Sequence, residues 1–502
     1  MPSVTQTLPP PIGGWDTMSA LTNMPGQNAL TLDNWFPSTD KVTLRKGYTS
    51  HATGMTGRVE TLIQYTGLTG AGKIFAANDG KVYDVSSAGA VGAAVLSGKS
   101  NDRWQQVQIG TSGGQFVMIM NGADTPQTYN GTSWANAGMT GPTIANLIWC
   151  NVHQRRLWFG EEDSLSAWYL AANAITGSAT EFPLHGLASL GGYIMAMGTW
   201  SRDAGDGSDD VAVFLTSEGQ AIVYQGTDPS AAATWSLVGV FRIGKPIGRR
   251  CMIKAGADLI IITQDGFVAL STILGGDRSQ TDGVAISAQI NKSVNDAVIA
   301  AGGTYGWEPF LYPIGTMLIF NVPQSPNVFH QYVFNTITNK PCRFTGWNAI
   351  CWALNNDIAY FGGTDGAVYR ADNGTSDNGK NIEADAVPAF SFFGSPGVQK
   401  SFKLGEPIFQ SAGNPNAALD LNVDFEVQAP ASVASASPAS GGLWGDALWG
   451  QGTWGSADQI YRGWRPVHGI GEAASMRVRV STNSSSPAWI ATKYLFVPGG
   501  QV

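Results

Sequence analysis

Charge is scarce in this chain. Only 13% of its 502 residues are Asp, Glu, Lys or Arg, about half of the quarter usual in globular proteins. The balance is negative, at −8. That argues against a basic nucleic-acid reader, whose affinity comes from neutralising phosphates, but not against a surface past which DNA slides without sticking. No apolar run reaches the length of about eighteen residues that a membrane-spanning helix needs, so none is expected. Met1 to Pro11 has neither a basic nor an apolar stretch, and no signal peptide is expected. The four cysteines, Cys150, Cys251, Cys342 and Cys351, are widely scattered. They suit a reducing compartment better than a disulfide framework.

Glycine and tryptophan are plentiful. There are 63 glycines and 17 tryptophans, and 43% of the residues are hydrophobic. Aromatic content this high is absent from disordered chains, and the glycines lack the period of three that collagen needs. High Gly and Trp with few charges predict many strands joined by tight turns.

A unit recurs: an apolar run, a turn of the Asp-Gly or Asn-Gly type, and a second apolar run. Its turns are Asp79-Gly80, Asn121-Gly122, Glu218-Gly219, Asp265-Gly266 and Asp365-Gly366. Each predicts a β-hairpin, with glycine supplying the positive φ. Asp79 to Asn121 is 42 residues and Glu218 to Asp265 is 47, while the two remaining gaps, 97 and 100, are about double. Each long gap holds a weaker candidate. One is Leu157-Trp158-Phe159 before Glu161-Glu162-Asp163; the other is Met317 to Phe320 before a Pro-rich turn and Tyr332-Val333-Phe334. Six or seven units of roughly 40–60 residues predict an all-β fold built on a six- or seven-bladed β-propeller. It would occupy residues 51–379, after an N-terminal arm, 1–50, that joins a second domain.

One segment breaks the pattern. Ile286, Ile290, Val294 and Val298 recur every fourth residue, which predicts a helical insertion over 286–300 with one apolar face. From 380 to 502 a β-rich, sandwich-like platform is expected, with strands at Val387 to Phe393, Ser401 to Phe409 and Leu419 to Val427. Met476, Val478 and Val480 alternate with Arg477 and Arg479, giving a strand with one apolar and one basic face. Ala429 to Gly442 holds only Ala, Pro, Ser, Val and Gly, the composition of a linker or mobile loop. Trp444, Trp449 and Trp454 then follow, each before a glycine. A period of five fits neither a helix nor a strand face. The three indoles are therefore candidate interaction residues, expected to place at least one tryptophan against another subunit or the adaptor ring; the competing reading is that they close the platform's own core.

Catalytic and ligand-binding patterns are sparse. Asp203, Asp206, Asp209 and Asp210 crowd a Gly-rich stretch, but their spacing misses the Ca²⁺-binding EF-hand pattern. Cys342 and Cys351 lack a histidine pair to complete a zinc site. His51, His153, His185, His330 and His468 stand apart, and there is no Gly-x-Ser-x-Gly elbow and no phosphate-binding glycine loop. Glycoside hydrolysis needs two carboxylates across a cleft. Glu161, Glu162 and Asp163 put acids near a rim, as some cluster would in any protein with 37 acids. No catalytic residue, metal or cofactor is expected.

Several stretches, in order, carry a resemblance. They are Asn28 to Pro37, Leu44-Arg45-Lys46-Gly47-Tyr48, Gly198-Thr199-Trp200, Gly244-Lys245-Pro246-Ile247-Gly248, the helix with its following Met317 to Phe320 and Val333-Phe334-Asn335, Trp347, Lys400 to Phe409, and Met476 to Val480. Together they resemble the tail nozzle, or tail-hub, proteins of short-tailed bacteriophages, the packaged-DNA stabilisation proteins. The likeness is one of pattern over most of the chain. The Ala/Pro/Ser stretch and the Trp-Gly pentads depart from it.

The resemblance implies a structural virion protein. Its partners would be copies of itself in a closed ring, a homohexamer, with the portal and its adaptor (connector) proteins above. Tail fibre, needle or spike proteins would lie below, and viral DNA would pass through without tight binding. It also implies a place in the phage tail after assembly in the bacterial cytoplasm. A propeller-based glycan-binding or glycan-cleaving tail component is the alternative.

Overall fold

The apolar–turn–apolar units fold as hairpins. In the first, Gly72–Asn78 pairs antiparallel with Lys81–Asp84. Its loop residues Asp79 and Gly80 both take positive φ, 53° and 68°, the combination that matches the turn to the strands' own twist. A Cβ on Gly80 would lie 2.6 Å from the Lys99 carbonyl, so glycine is required there by space as well as by φ. The computed structural model describes residues 2–201, 210–273, 285–429, 441–442, 453–454 and 458–501.

The hairpins belong to a β-propeller of seven blades. The innermost strands are Thr61–Thr66, Gln105–Thr111, Leu147–His153, Ile194–Trp200, Met252–Ala255, Glu308–Tyr312 and Cys351–Asn355. They adjoin one another in that order, the first two through the side chains of Gln106 and Gln108, and the last adjoins the first. All seven turn sites named from the sequence lie between the second and third strands of a blade, including the two weaker ones at Glu161–Asp163 and after Phe320. Side chains lace neighbouring blades together. Gln106 donates to the Leu62 carbonyl (2.9 Å) and accepts from the Gln64 amide (2.8 Å); Trp149 Nε1 donates to the Ile194 carbonyl at 2.9 Å.

The ring is closed by sequence-distant strands. Thr49–Thr53, from the start of the propeller, pairs antiparallel with Val368–Arg370, from its end. The seventh blade cannot form until both ends of the propeller are present.

The sixth blade does not stop at its outer strand. Pro341–Phe344 pairs with Asn28–Asp33 through Asp33 and Arg343, and the sheet runs on through Ile382–Pro388, Ala474–Thr482 and Ala418–Val423. A bidentate ion pair, Arg343 to Asp33 at 2.7 and 2.6 Å, reinforces the junction. The second platform sheet contains Val398–Ser411 and Ala488–Gln501, flanked by Val4–Leu8, Trp35–Pro37, Val42–Leu44, Gln459–Tyr461 and Arg465–Gly471. Phe393, Phe402, Met476, Tyr494 and Phe496 form one core cluster across the two sheets. Trp35 and Trp489 belong to the same core cluster as blade residues such as Phe320 and Trp352.

Several elements differ from their expected bounds. The platform strand expected at Val387 to Phe393 is Ile382–Pro388; Phe393 takes a φ of 52° and is buried, so this apolar run fills the core from a bend. The strand expected at Leu419 to Val427 is Ala418–Val423 and ends where Asp424 and Phe425 take positive φ. The helix starts at Asn291 and ends at Ala301. Ile286 instead donates its amide to the Phe267 carbonyl, while Ser287 Oγ bonds Asn291 and accepts the Phe267 amide, holding the chain to blade five before the helix begins. The apolar face is real: Ile290 and Val294 are fully buried, with Ile286 and Val298 packed beside them. In Ala474–Thr482 the face of Met476, Val478 and Val480 is buried, while Arg477 Nε donates to Asp385 at 2.8 Å.

Candidate functional site

Antiparallel alternation puts two kinds of loop at one end of every blade: the link from one blade to the next, and the turn between strands two and three. At that end the structure has a cavity of about 820 Å³. It is lined by links (Thr56 to Arg58 with Glu60, Asn101 to Arg103, Gly248 to Arg250, Gly302 to Glu308) and by turn residues Asp79, Gly122 and Glu162. Below it a narrower space of about 260 Å³ follows the propeller axis and meets a residue from each innermost strand, among them Leu62, Gln106, Cys150, Met197, Ile253, Pro309 and Trp352. Gln105, Arg249, Arg250 and Glu308 line both spaces.

Arg250 organises the boundary between the two. Its Nη1 donates to Glu308 Oε2 at 2.8 Å. Its Nη2 donates to Thr61 Oγ1 at 2.7 Å and to the Trp104 carbonyl at 2.8 Å. One side chain from the link before blade five thus ties blades one, two and six. Two guanidinium groups lie over the Tyr305 ring, Arg103 at 4.8 Å and Arg250 at 5.4 Å from its centre. Its hydroxyl donates to the Glu60 carbonyl at 2.9 Å. Glu60 also pairs with Arg103 at 3.1 Å, and Arg249 pairs with Glu162 at 2.6 Å.

Burial sets the protonation of this cluster. It pushes the Glu308 carboxyl up, with Arg250 opposing. It also pushes the Tyr305 phenol well up, again against Arg250. For Arg250, desolvation works to lower the pKa, but Tyr305 and Glu308 outweigh it, and the guanidinium stays charged. The Asp102 carboxyl is raised first by burial, with Glu60 and Asp79 adding like charge, although it accepts the Gly80 amide at 3.1 Å.

The residues singled out from the sequence fall elsewhere or outside the described residues. Trp444 and Trp449 lie outside them, and for Trp454 only the backbone is described, pairing with Gly442. Most of the Ala429 to Gly442 stretch, with Asp203, Asp206 and Asp209, also lies outside; Asp210 is buried. Among the described residues no group of His, Cys, Asp and Glu could hold a metal ion. Glu161 is bound by the Thr143 amide and Trp168 Nε1, so of that acidic turn only Glu162 reaches the cavity. His153, His330 and His51 sit in three different places, bonded to Thr199, half-buried near Arg343, and bonded to the Val85 carbonyl. The four cysteines are free thiols; burial pushes Cys251 up to about 12.

Sequence reasoning missed Thr61, Asp102, Arg250, Tyr305 and Glu308. They come from separate links and share no local motif. The one local signal was the Arg249-Arg250 doublet following Gly248, a pair of adjacent charges in a charge-poor chain.

No family model matches the chain, and no curated protein matches it. Solved structures do. A chain of the BBS1N–ARL6DN complex is similar over 65% of this chain and 97% of its own, at 10% identity and a TM-score of 0.42. Raptor from Chaetomium thermophilum is similar over 66% of this chain and 30% of its own, at 11% identity and 0.41. The computationally designed Ika8 protein is similar over 64% and 99%, at 10% identity and 0.36. Likeness at this level says nothing of function.

Proposed function

We propose that this chain is a structural virion protein: a tail nozzle subunit that forms a ring below the portal and adaptor, retains packaged DNA and conducts it at ejection. The sequence resemblance suggests the role. The observation that carries it is the double interlock between propeller and platform. One sheet runs from blade six into the platform, and the strand that closes blade seven follows directly on platform strands. Neither part can turn against the other without breaking strand pairs, which suits a load-bearing wall around pressurised DNA. In this reading the conduit lies between copies, because Arg250, Glu308 and Tyr305 meet at the head of the propeller's own axis. Low charge suits large permanent subunit interfaces.

The test is the assembly state. Native mass spectrometry and electron microscopy, with and without portal and connector proteins of a short-tailed phage, should show a closed cyclic oligomer, a hexamer. A chain that stays monomeric in both conditions overturns the reading.

A further inference from the structure

We propose that Asn130-Gly131 is a self-modifying site, which converts to aspartate and isoaspartate in the folded protein, independently of the nozzle reading. The chain has four Asn-Gly pairs, beginning at Asn121, Asn130, Asn373 and Asn378. A glycine carries no side chain to hinder close approach by its own nitrogen, so the four are equal in sequence. The fold makes them unequal. The reaction needs a backbone nitrogen free to attack the side-chain carbonyl carbon, donors for the oxyanion that develops on Oδ1, and a side-chain nitrogen free to leave.

Asn130 alone of the four meets all three needs. It is exposed, in the turn between the outer two strands of blade two, Gln127–Tyr129 and Trp134–Asn136. The Gly131 amide has no acceptor, and Asn130 Nδ2 no partner, among the described residues. Asn130 Oδ1 accepts the Thr132 and Ser133 amides at 2.9 and 2.8 Å. Each of the other pairs is held. Asn121 is buried, and its Nδ2 donates to the Asn101 carbonyl at 3.2 Å and to Asp124 at 2.6 Å. Asn373 Nδ2 donates to Thr49 Oγ1 at 2.9 Å. Beside Asn378 the attacking nitrogen is engaged, because the Gly379 amide donates to Ser376 Oγ at 3.2 Å.

The step balances without oxidant or cofactor. The Gly131 nitrogen bonds to Asn130 Cγ and gives up its proton. The Cγ–Nδ2 bond breaks, and Nδ2 leaves with that proton as ammonia. Water then opens the resulting succinimide ring at either carbonyl, which yields aspartate or isoaspartate. Both products add a negative charge at the end of the propeller opposite the mouth. Isoaspartate also adds a carbon to the main chain of the turn. It therefore pulls on the bonds from Asn130 N to the Ser133 carbonyl, 3.3 Å, and from Tyr129 Oη to the Gly131 carbonyl, 2.9 Å.

The experiment incubates the full-length protein in mildly alkaline buffer made with heavy-oxygen water, so that each new carboxylate carries the label. Peptide mapping by mass spectrometry follows the four sites over days, with a parallel sample kept unfolded in guanidinium. In the unfolded sample all four should convert at similar rates. In the folded protein Asn130 should convert at least about tenfold faster than Asn121, Asn373 and Asn378, because each of those pairs must first break a hydrogen bond. If folding protects Asn130 as fully as the other three, or if one of them converts first, the proposal is wrong.

Discussion

At the scale of single residues, Arg250 has much to lose. Its side chain and that of Glu308 are 15% and 12% exposed. Removing one partner of such a pair strands the other charge, at a cost of about 3–5 kcal/mol, whereas replacing both with apolar groups is often neutral. Arg250→Met should therefore lower the urea midpoint sharply, and adding Glu308→Leu should recover most of the loss. His153 tests a second residue-scale effect. Buried, with Nδ1 3.1 Å from Thr199 Oγ1, it is held down to about 4 from 6.5 by burial, against the pull of Asp210. Burial, together with the Arg343 charge, holds His330 down to about 4 as well. The folded state keeps both neutral while the unfolded state takes up protons, so their contribution is complete above about 6.5 and declines as the pH falls towards 4. Unfolding free energies measured between pH 7.5 and 4 should fall along this slope, and His153→Gln with His330→Gln should flatten it.

At the scale of elements, the seventh blade is the place where the ring can be opened. Ala52 pairs with Val368 and is fully buried among Val59, Leu62 and Tyr360. An aspartate there is a buried, unpaired carboxylate, among the few single changes that cost more than about 4 kcal/mol. Ala52→Asp should raise amide exchange first at Tyr369 and Arg370, the partners of Ser50 and Thr49, while the amides of blades two to four stay protected. Uniform loss of protection would mean that the ring opens only by global unfolding. The outer strands of the other blades explain why this one is exposed to such a change. Blade six is extended by the platform sheet and blade five is packed against the helix, but blade seven depends on a strand that arrives from the opposite end of the chain.

At the scale of the whole molecule, the negative balance of −8 sets a limit on how any assembled tube treats DNA. Each neutralised phosphate adds affinity and salt dependence, with a slope of about −0.9 per contact. Fluorescence anisotropy with a duplex probe, run between about 50 and 200 mM salt, should find weak binding and a shallow slope. A steep slope would mean a Lys/Arg-lined wall and would contradict the proposed conduit.

The alternation of apolar runs with glycine turns determined the propeller from the sequence alone, because a hairpin is a local object: Asp79-Gly80 takes its φ values from its own residue types. The same holds for the helix face of Ile290 and Val294 and for the buried face of Met476, Val478 and Val480. Where the regular strand has ended, as from Ala389 to Phe393, apolar composition alone misled, because a core accepts a phenylalanine from an irregular segment as readily as from a strand. What only the tertiary structure decided is what lies far apart in sequence: the blade count, which needed Thr49–Thr53 to meet Val368–Arg370, and the mouth of the axis, where Thr61, Asp102, Arg250, Tyr305 and Glu308 converge from separate links. Such residues have no spacing rule. Their neighbours are set by the closure of the ring, and closure is a property of all seven blades together.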